Sequence, residues 1–388
     1  MFMPRIIWLL IIGMAVNVTG ASFIWPLNTI YIHDELGRSL STAGFVLMLN
    51  SGASVAGNLI GGSLFDKIGG YLSTLTGIVI ALLSLIGMTF LHGWPWYAVW
   101  LIVLGFGSGM IFPSIYAMAG AAWPEGGRKT FNAIYLAQNI GVAIGAAAGG
   151  FVADLKFEYI FVANLILYVI FFFIAALGYR GVHGGATGGN QLKNVGEVKD
   201  KTKFNALLLI CVMYCLCWIG YVQWQTTISS YTQDIGISLK QYSFLWALNG
   251  MLIIIGQPLI NPVINRMAGK IKQQIAVGLA IFIVSYILTS FAETFTMFII
   301  GMVILTIGEM FVWPAVPTIA NQLAPEGRLG VYQGIVNSTA TLGRAIGPLF
   351  GGVIVDLYNM QIMFYAMIVL LVVSFFFLKI YDRRLVED

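Results

Sequence analysis

GVAIGAAAGG, residues 141–150, and GRAIGPLFGG, residues 343–352, carry glycine at the same first, fifth, ninth and tenth places and stand half a chain apart. An aspartate follows each run, Asp154 in one case and Asp356 in the other. Glycines spaced by four fall on one side of a helix and leave it nearly flat, so that another backbone can approach closely. The correspondence continues upstream. Pro124-Glu125-Gly126 matches Pro325-Glu326-Gly327, and Gly107 with Pro113 matches Gly308 with Pro314. Earlier still, Leu49-Asn50, Gly57 and Asp66-Lys67 answer Leu248-Asn249, Gly256 and Asn265-Arg266. Repetition on this scale marks a duplicated unit. A segment rich in Gly, Lys and Asn, 181–203, reads as a flexible cytoplasmic linker and leaves two halves, 1–180 and 204–388.

Both halves are built for a bilayer. Hydrophobic residues make up 59% of the chain and charged residues 9%, where a soluble domain carries about a quarter charged residues. A helix needs about 20 apolar residues to cross the hydrocarbon core. Twelve such runs are legible, roughly at 7–31, 41–65, 72–91, 96–121, 131–153, 159–180, 204–230, 240–264, 273–292, 295–322, 330–355 and 362–380. The expected fold is therefore an all-α membrane protein, with twelve transmembrane helices in two pseudo-symmetric six-helix bundles. Six spans per half leave both halves the same way up, a parallel repeat that suits alternating access. Sixteen of the 20 Lys and Arg residues fall on the side that holds both termini; Arg38, Lys156 and Lys240 fall on the other, and Arg344 lies inside a span. Positively charged loops stay in the cytoplasm, so both termini are expected there. The net charge of +4 then describes a membrane face, not a nucleic-acid site. The first run lacks a small-residue cleavage site and reads as a retained helix. Short loops and the absence of a transit peptide favour a bacterial inner membrane.

Other chemistries lack their residues. Cys211, Cys215 and Cys217 share span 7 without a zinc spacing or a neighbouring His or carboxylate, so neither a metal nor a cofactor is expected. No G-x-x-x-x-G-K-[ST] sequence occurs, which leaves an ion or solute gradient as the energy source. His33, His92 and His183 lie outside the spans. An intramembrane enzyme would need paired catalytic groups at depth, and only Glu309 and Arg344 are available. Among the acidic residues, Glu309 alone lies mid-span, where an ionisable group costs roughly 2.5–3.5 kcal/mol on insertion scales. Its counterpart in the other half is Ser108, so the fold does not need an acid there. Desolvation favours a neutral carboxyl that can exchange a proton with water or yield to a cationic ligand. Arg344 sits at similar depth in span 11. Two readings stay open: a switching carboxylate, and a permanent Glu309–Arg344 pair joining two helices.

These residues resemble the major facilitator superfamily over essentially the whole chain. Gly62, Asp66, Lys67 and Gly69, between spans 2 and 3, are similar to its signature loop, in which a carboxylate caps a helix N-terminus or pairs with a base in one conformation only. Gly141, Gly145 and Gly149 of span 5, and Gly343, Gly347, Pro348 and Gly351 of span 11, resemble the glycine motif of its drug:proton antiporters. Ala146 stands where that motif has proline, and Leu101 replaces the arginine expected before Gly105. Glu309, with Gly330-x-Tyr332-x-Gly334 and Tyr135-x-Ala137-Gln138-Asn139, resembles a bacterial multidrug:proton subgroup, although Ile134 replaces an acid of that subgroup.

The resemblance implies that spans 4, 7 and 10 line a substrate cavity. Tyr214, Trp218, Tyr221 and Gln225 recur at helical spacing in span 7. Trp313 shares a face with Glu309, while Phe112 and Tyr116 lie in span 4. Asn17, Trp25 and Asn28 in span 1, with Asn50, Gln138 and Asn249, add neutral polar groups. An apolar aromatic cavity with one acid suits lipophilic, often cationic compounds. The expected activity is thus proton-coupled efflux by a chain that works as a monomer among membrane lipids. The alternative is a carrier of a polar metabolite, organic anion or lipid-linked solute, with Arg344 as the clamp and Glu309 as its partner.

Overall fold

The computed structural model describes residues 3–24, 27–28, 31–180, 201–267 and 270–385. No strand occurs among them. Twelve helices among the described residues are long and apolar enough to cross a membrane: Arg5–Ile24, Thr42–Ile68, Gly70–Phe90, Trp96–Ala122, Arg128–Gly149, Tyr159–Gly178, Lys201–Asp234, Gln241–Ile264, Ile271–Ser290, Phe295–Leu323, Leu329–Leu357 and Met360–Ile380. They are spans 1 to 12. Most of the expected linker, 181–200, and the cavity candidate Trp25 lie outside the described residues.

Two boundaries differ from the hydropathy reading in ways that matter. The helix of span 2 runs on to Ile68, so Asp66 and Lys67 belong to its last turn and not to a loop. The stop is set by Gly69, whose φ of 87° side chains rarely adopt and whose N–H closes on the Phe65 carbonyl. Span 7 is interrupted: its α-helix ends at Val222, a 3₁₀ turn covers Gln223–Gln225, and a second α-helix follows at Thr227–Asp234.

The helices gather into two compact units. The first holds spans 1 to 6 together with Ala324–Ser338; the second holds spans 7 to 10, span 12 and span 11 from Thr339 onward. Span 11 thus contributes its opening turns to one unit and its remainder to the other.

Within the first unit, the glycines of span 5 press on span 1. A methyl group added at Gly141 would lie 2.7 Å from the Ala15 carbonyl oxygen, and one at Gly145 would strike the Thr19 carbonyl. Spans 2 and 4 are equally close, with Gly57 on the Phe106 carbonyl and Gly109 on the Ser54 carbonyl. Within the second unit, the matching face of span 11 presses on span 7. Methyl groups at Gly343 and Gly347 would come within 3.0 Å of the Cys215 carbonyl oxygen and 3.2 Å of the Ile219 carbonyl oxygen. The duplicated glycines therefore join equivalent helices in the two units.

The duplicated prolines do not act alike. Span 4 carries Pro113 inside one continuous helix, Trp96–Ala122. Span 10 breaks after Val312 and resumes at Ala315. Pro317 adds a second missing donor one turn beyond Pro314, so the carbonyls of Met310 and Trp313, one turn apart, lose helical partners and the ladder opens.

Candidate transport site

Glu309 lies in the last turns of span 10 before that break and is 3% exposed. Neighbours from two other helices surround its carboxylate. Asn249 of span 8 donates from Nδ2 to Glu309 Oε2 at 3.0 Å and to Thr306 Oγ1 at 2.9 Å. Thr306, one turn earlier, passes its own proton to the Met302 carbonyl at 2.7 Å. Tyr221 of span 7 lies beside the Glu309 carboxyl and Asn249. Donors fixed in this way hold a charged carboxylate strongly, and the same contacts must rearrange when it takes up a proton.

An aromatic column stands beside the acid. Trp313, whose N–H bonds the Glu309 carbonyl at 3.0 Å, stacks on Trp218 with ring centroids 4.6 Å apart and planes 5° apart. Tyr221 meets both indoles edge-on at 5.4 Å, and Tyr214 meets Trp313 edge-on at 5.5 Å. The Arg344 guanidinium lies 4.7 Å over the Trp218 ring, continuing the stack with a cation. Arg344 is exposed, and its Nη2 donates to Thr341 Oγ1 at 3.5 Å. Seven residues singled out in the sequence thus meet in one unit: Tyr214, Trp218, Tyr221, Asn249, Glu309, Trp313 and Arg344. Gln225 stands apart, half-buried in the turn that interrupts span 7.

The first-unit candidates form separate contacts. Gln138 donates to the Tyr116 hydroxyl at 3.1 Å and reaches Met14 Sδ at 3.7 Å, and Phe112, one turn before Tyr116, is half-buried. Asn50 donates to the Leu101 carbonyl at 2.6 Å, and Asn28 accepts from the Tyr97 hydroxyl at 2.7 Å. Asn17 is buried with both amide atoms lacking a protein partner among the described residues. Sequence reasoning missed Trp246, which meets Tyr221 at 6.1 Å, and Phe282, which meets Trp313 at 5.5 Å. Trp246 had a signal: it lies three residues before Asn249 and so on the same helix face.

Asp66 makes a second polar site, inside the first unit. It accepts from the backbone N–H groups of Gly330 at 2.8 Å and Val331 at 2.9 Å. These are among the free amides at the start of span 11, where the helix dipole favours an anion. Gly62 and Gly330 touch through their backbones, and Gly334 packs on the Asn58 carbonyl, which brings the carboxylate within reach. Lys67, next in sequence, is exposed.

Comparison with known proteins agrees with this architecture. The family model described as Major Facilitator Superfamily matches residues 10–271 and 210–387. A Bacillus subtilis (strain 168) protein called "Uncharacterized MFS-type transporter YttB" is 58% identical over 383 residues, covering 99% of this chain and 96% of the relative. "Quinolone resistance protein NorA" of Staphylococcus aureus (strain MSSA476) is 22% identical, covering 92% of this chain and 91% of that protein. Among solved structures, a bacterial homologue of the iron transporter ferroportin aligns with a TM-score of 0.79 at 14% identity, covering 98% of this chain and all of that one. The human organic anion transporter MFSD10 (TETRAN) aligns with a TM-score of 0.74, also at 14% identity, covering 97% of this chain and 100% of that one. With a duplicated twelve-span fold and a family model matched along nearly its whole length, this chain belongs to the major facilitator superfamily and is a multi-pass membrane transporter.

Proposed function

We propose that the protein is a proton-coupled antiporter of lipophilic, often cationic compounds in a bacterial plasma membrane, with Glu309 as the coupling carboxylate. The observation that carries this reading is a buried acid held by Asn249, with Tyr221 beside it, next to a stack of Trp313 and Trp218. Aromatic faces attract flat lipophilic cations, and a carboxylate that must be neutral or ion-paired when buried can trade a proton for such a ligand. A distant relative named for quinolone resistance is compatible with this substrate class.

The Arg344 guanidinium over Trp218 supports a second reading, a carrier of organic anions. Substrate charge separates the two. In proteoliposomes with an imposed pH gradient, uptake of tetraphenylphosphonium or ethidium is expected, with no comparable flux of aromatic carboxylates. Flux of the anions alone would replace the first reading with the second.

A further inference from the structure

The interruption of span 7 has an unusual anchor. Gln223 opens the 3₁₀ turn and is completely buried. Its Nε2 donates to the Ile219 carbonyl at 2.8 Å, one turn back, and to the Gly347 carbonyl of span 11 at 2.7 Å. Its Oε1 accepts from the Thr227 hydroxyl at 2.9 Å, at the first residue of the helix that follows. One amide therefore ties the end of the first helix to the start of the second and both to span 11. The seat for this amide is cut from glycine: a methyl group at Gly351 would collide with Gln223 Oε1, and one at Gly347 would collide with Val222. Other side chains pin the same turn, since Tyr242 donates to the Trp224 carbonyl at 2.5 Å and Tyr286 donates to the Gly220 carbonyl.

Gln223 follows Tyr221 by two residues, and Tyr221 lies beside Glu309 and Asn249. The direction in which span 7 ends therefore sets where the tyrosine hydroxyl lies. We propose that Gln223, seated in the Gly347–Gly351 notch of span 11, is a positioning residue that holds Tyr221 against Glu309. The proposal rests on the coupling reading above for its functional consequence, but the latch itself is a steric and hydrogen-bonding statement about residues 223, 347 and 351. A polar side chain with every hydrogen-bonding group engaged has one low-energy placement, so displacing it moves the whole turn.

The test is a compensating pair. Gly351→Ala places a methyl where the amide oxygen sits and is expected to reduce pH-gradient-driven flux in proteoliposomes about tenfold. Gln223→Ala vacates that space, so adding it to Gly351→Ala should bring flux and thermal midpoint back to those of Gln223→Ala alone, the methyl then having nothing to displace. Gln223→Ala alone should shift the pH at which tetraphenylphosphonium binding is half-maximal. Tyr221→Phe should shift it in the same direction, and the two together should shift it no further than Tyr221→Phe alone. Full flux in Gly351→Ala, or a Gly351→Ala defect that Gln223→Ala leaves unrelieved, would overturn the latch. A Gln223→Ala protein with a lower thermal midpoint and an unmoved pH profile would make Gln223 structural only and overturn its positioning role. Failure of the coupling reading looks different: Glu309→Gln would then keep the wild-type pH profile, and the rescue between 351 and 223 would still decide the latch.

Discussion

Spans 2 and 4 in the first unit and spans 8 and 10 in the second start from matching residues and end with different chemistry. Asn50 and Asn249 occupy equivalent places. Asn50 faces Gly105, where any side chain would strike its amide nitrogen, and it donates to a backbone carbonyl, that of Leu101. Asn249 faces Thr306 at the place of Gly105 and Glu309 at the place of Ser108, and it donates to both side chains. Ser108, for its part, pairs with the Tyr168 hydroxyl of span 6 at 3.1 Å. Helix spacing follows the same divergence. Gly109 lets span 4 touch the backbone of span 2, whereas Met310 occupies the matching place in span 10 and its thioether fills the gap to Gly256. Duplication supplied the frame, and three substitutions on one helix made room for a buried acid and its partners.

The largest expected break in this comparison is Glu309→Gln, which should reduce pH-gradient-driven cation flux to the level of protein-free liposomes while leaving ligand binding intact. Next is Gly109→Met, which copies the second unit's spacing into the first. It should destabilise the protein by about 3 kcal/mol, because backbone and not a flexible side chain opposes the new atoms. Denaturation monitored by tryptophan fluorescence reads this, and a change below 0.5 kcal/mol would show that the close contact is not required. Asp66→Ala removes a cap from span 11 and should cost about 1 kcal/mol, with hydrogen exchange rising most at Gly330 and Val331. Exchange rising uniformly along span 11 would count against a local cap. The smallest effect on flux belongs to Ser108→Ala, which should leave coupling unchanged while costing about 1 kcal/mol, since it removes the hydrogen-bond partner of the buried Tyr168 hydroxyl. Loss of coupling in that variant would mean that the two units share the proton chemistry.

Much of this was legible in the chain itself. Twelve spans, their duplication and the placement of Glu309 follow from apolar run length, repeated glycines and the cost of a mid-membrane acid. Helical spacing also grouped Tyr214, Trp218 and Tyr221 before any fold was known. What escaped were features decided by contacts between distant segments. Asp66 looked like a loop residue because hydropathy falls at the charged end of span 2, yet the helix continues until Gly69 can adopt a positive φ. The division of span 11 between two units has no compositional mark, because it depends on Gly62, Gly330 and Gly334 meeting across the fold. Gln223 carries no mark in the sequence. Its place in a glycine notch appears only when spans 7 and 11 are side by side.

The central claim is that the second unit's buried acid exchanges its proton for ligand, and proton release on binding tests it without transport. Purified protein in weakly buffered detergent solution, mixed with tetraphenylphosphonium in the presence of a pH indicator, should release protons. The Glu309→Gln protein should bind the same cation and release none. Equal release from both proteins would contradict the account.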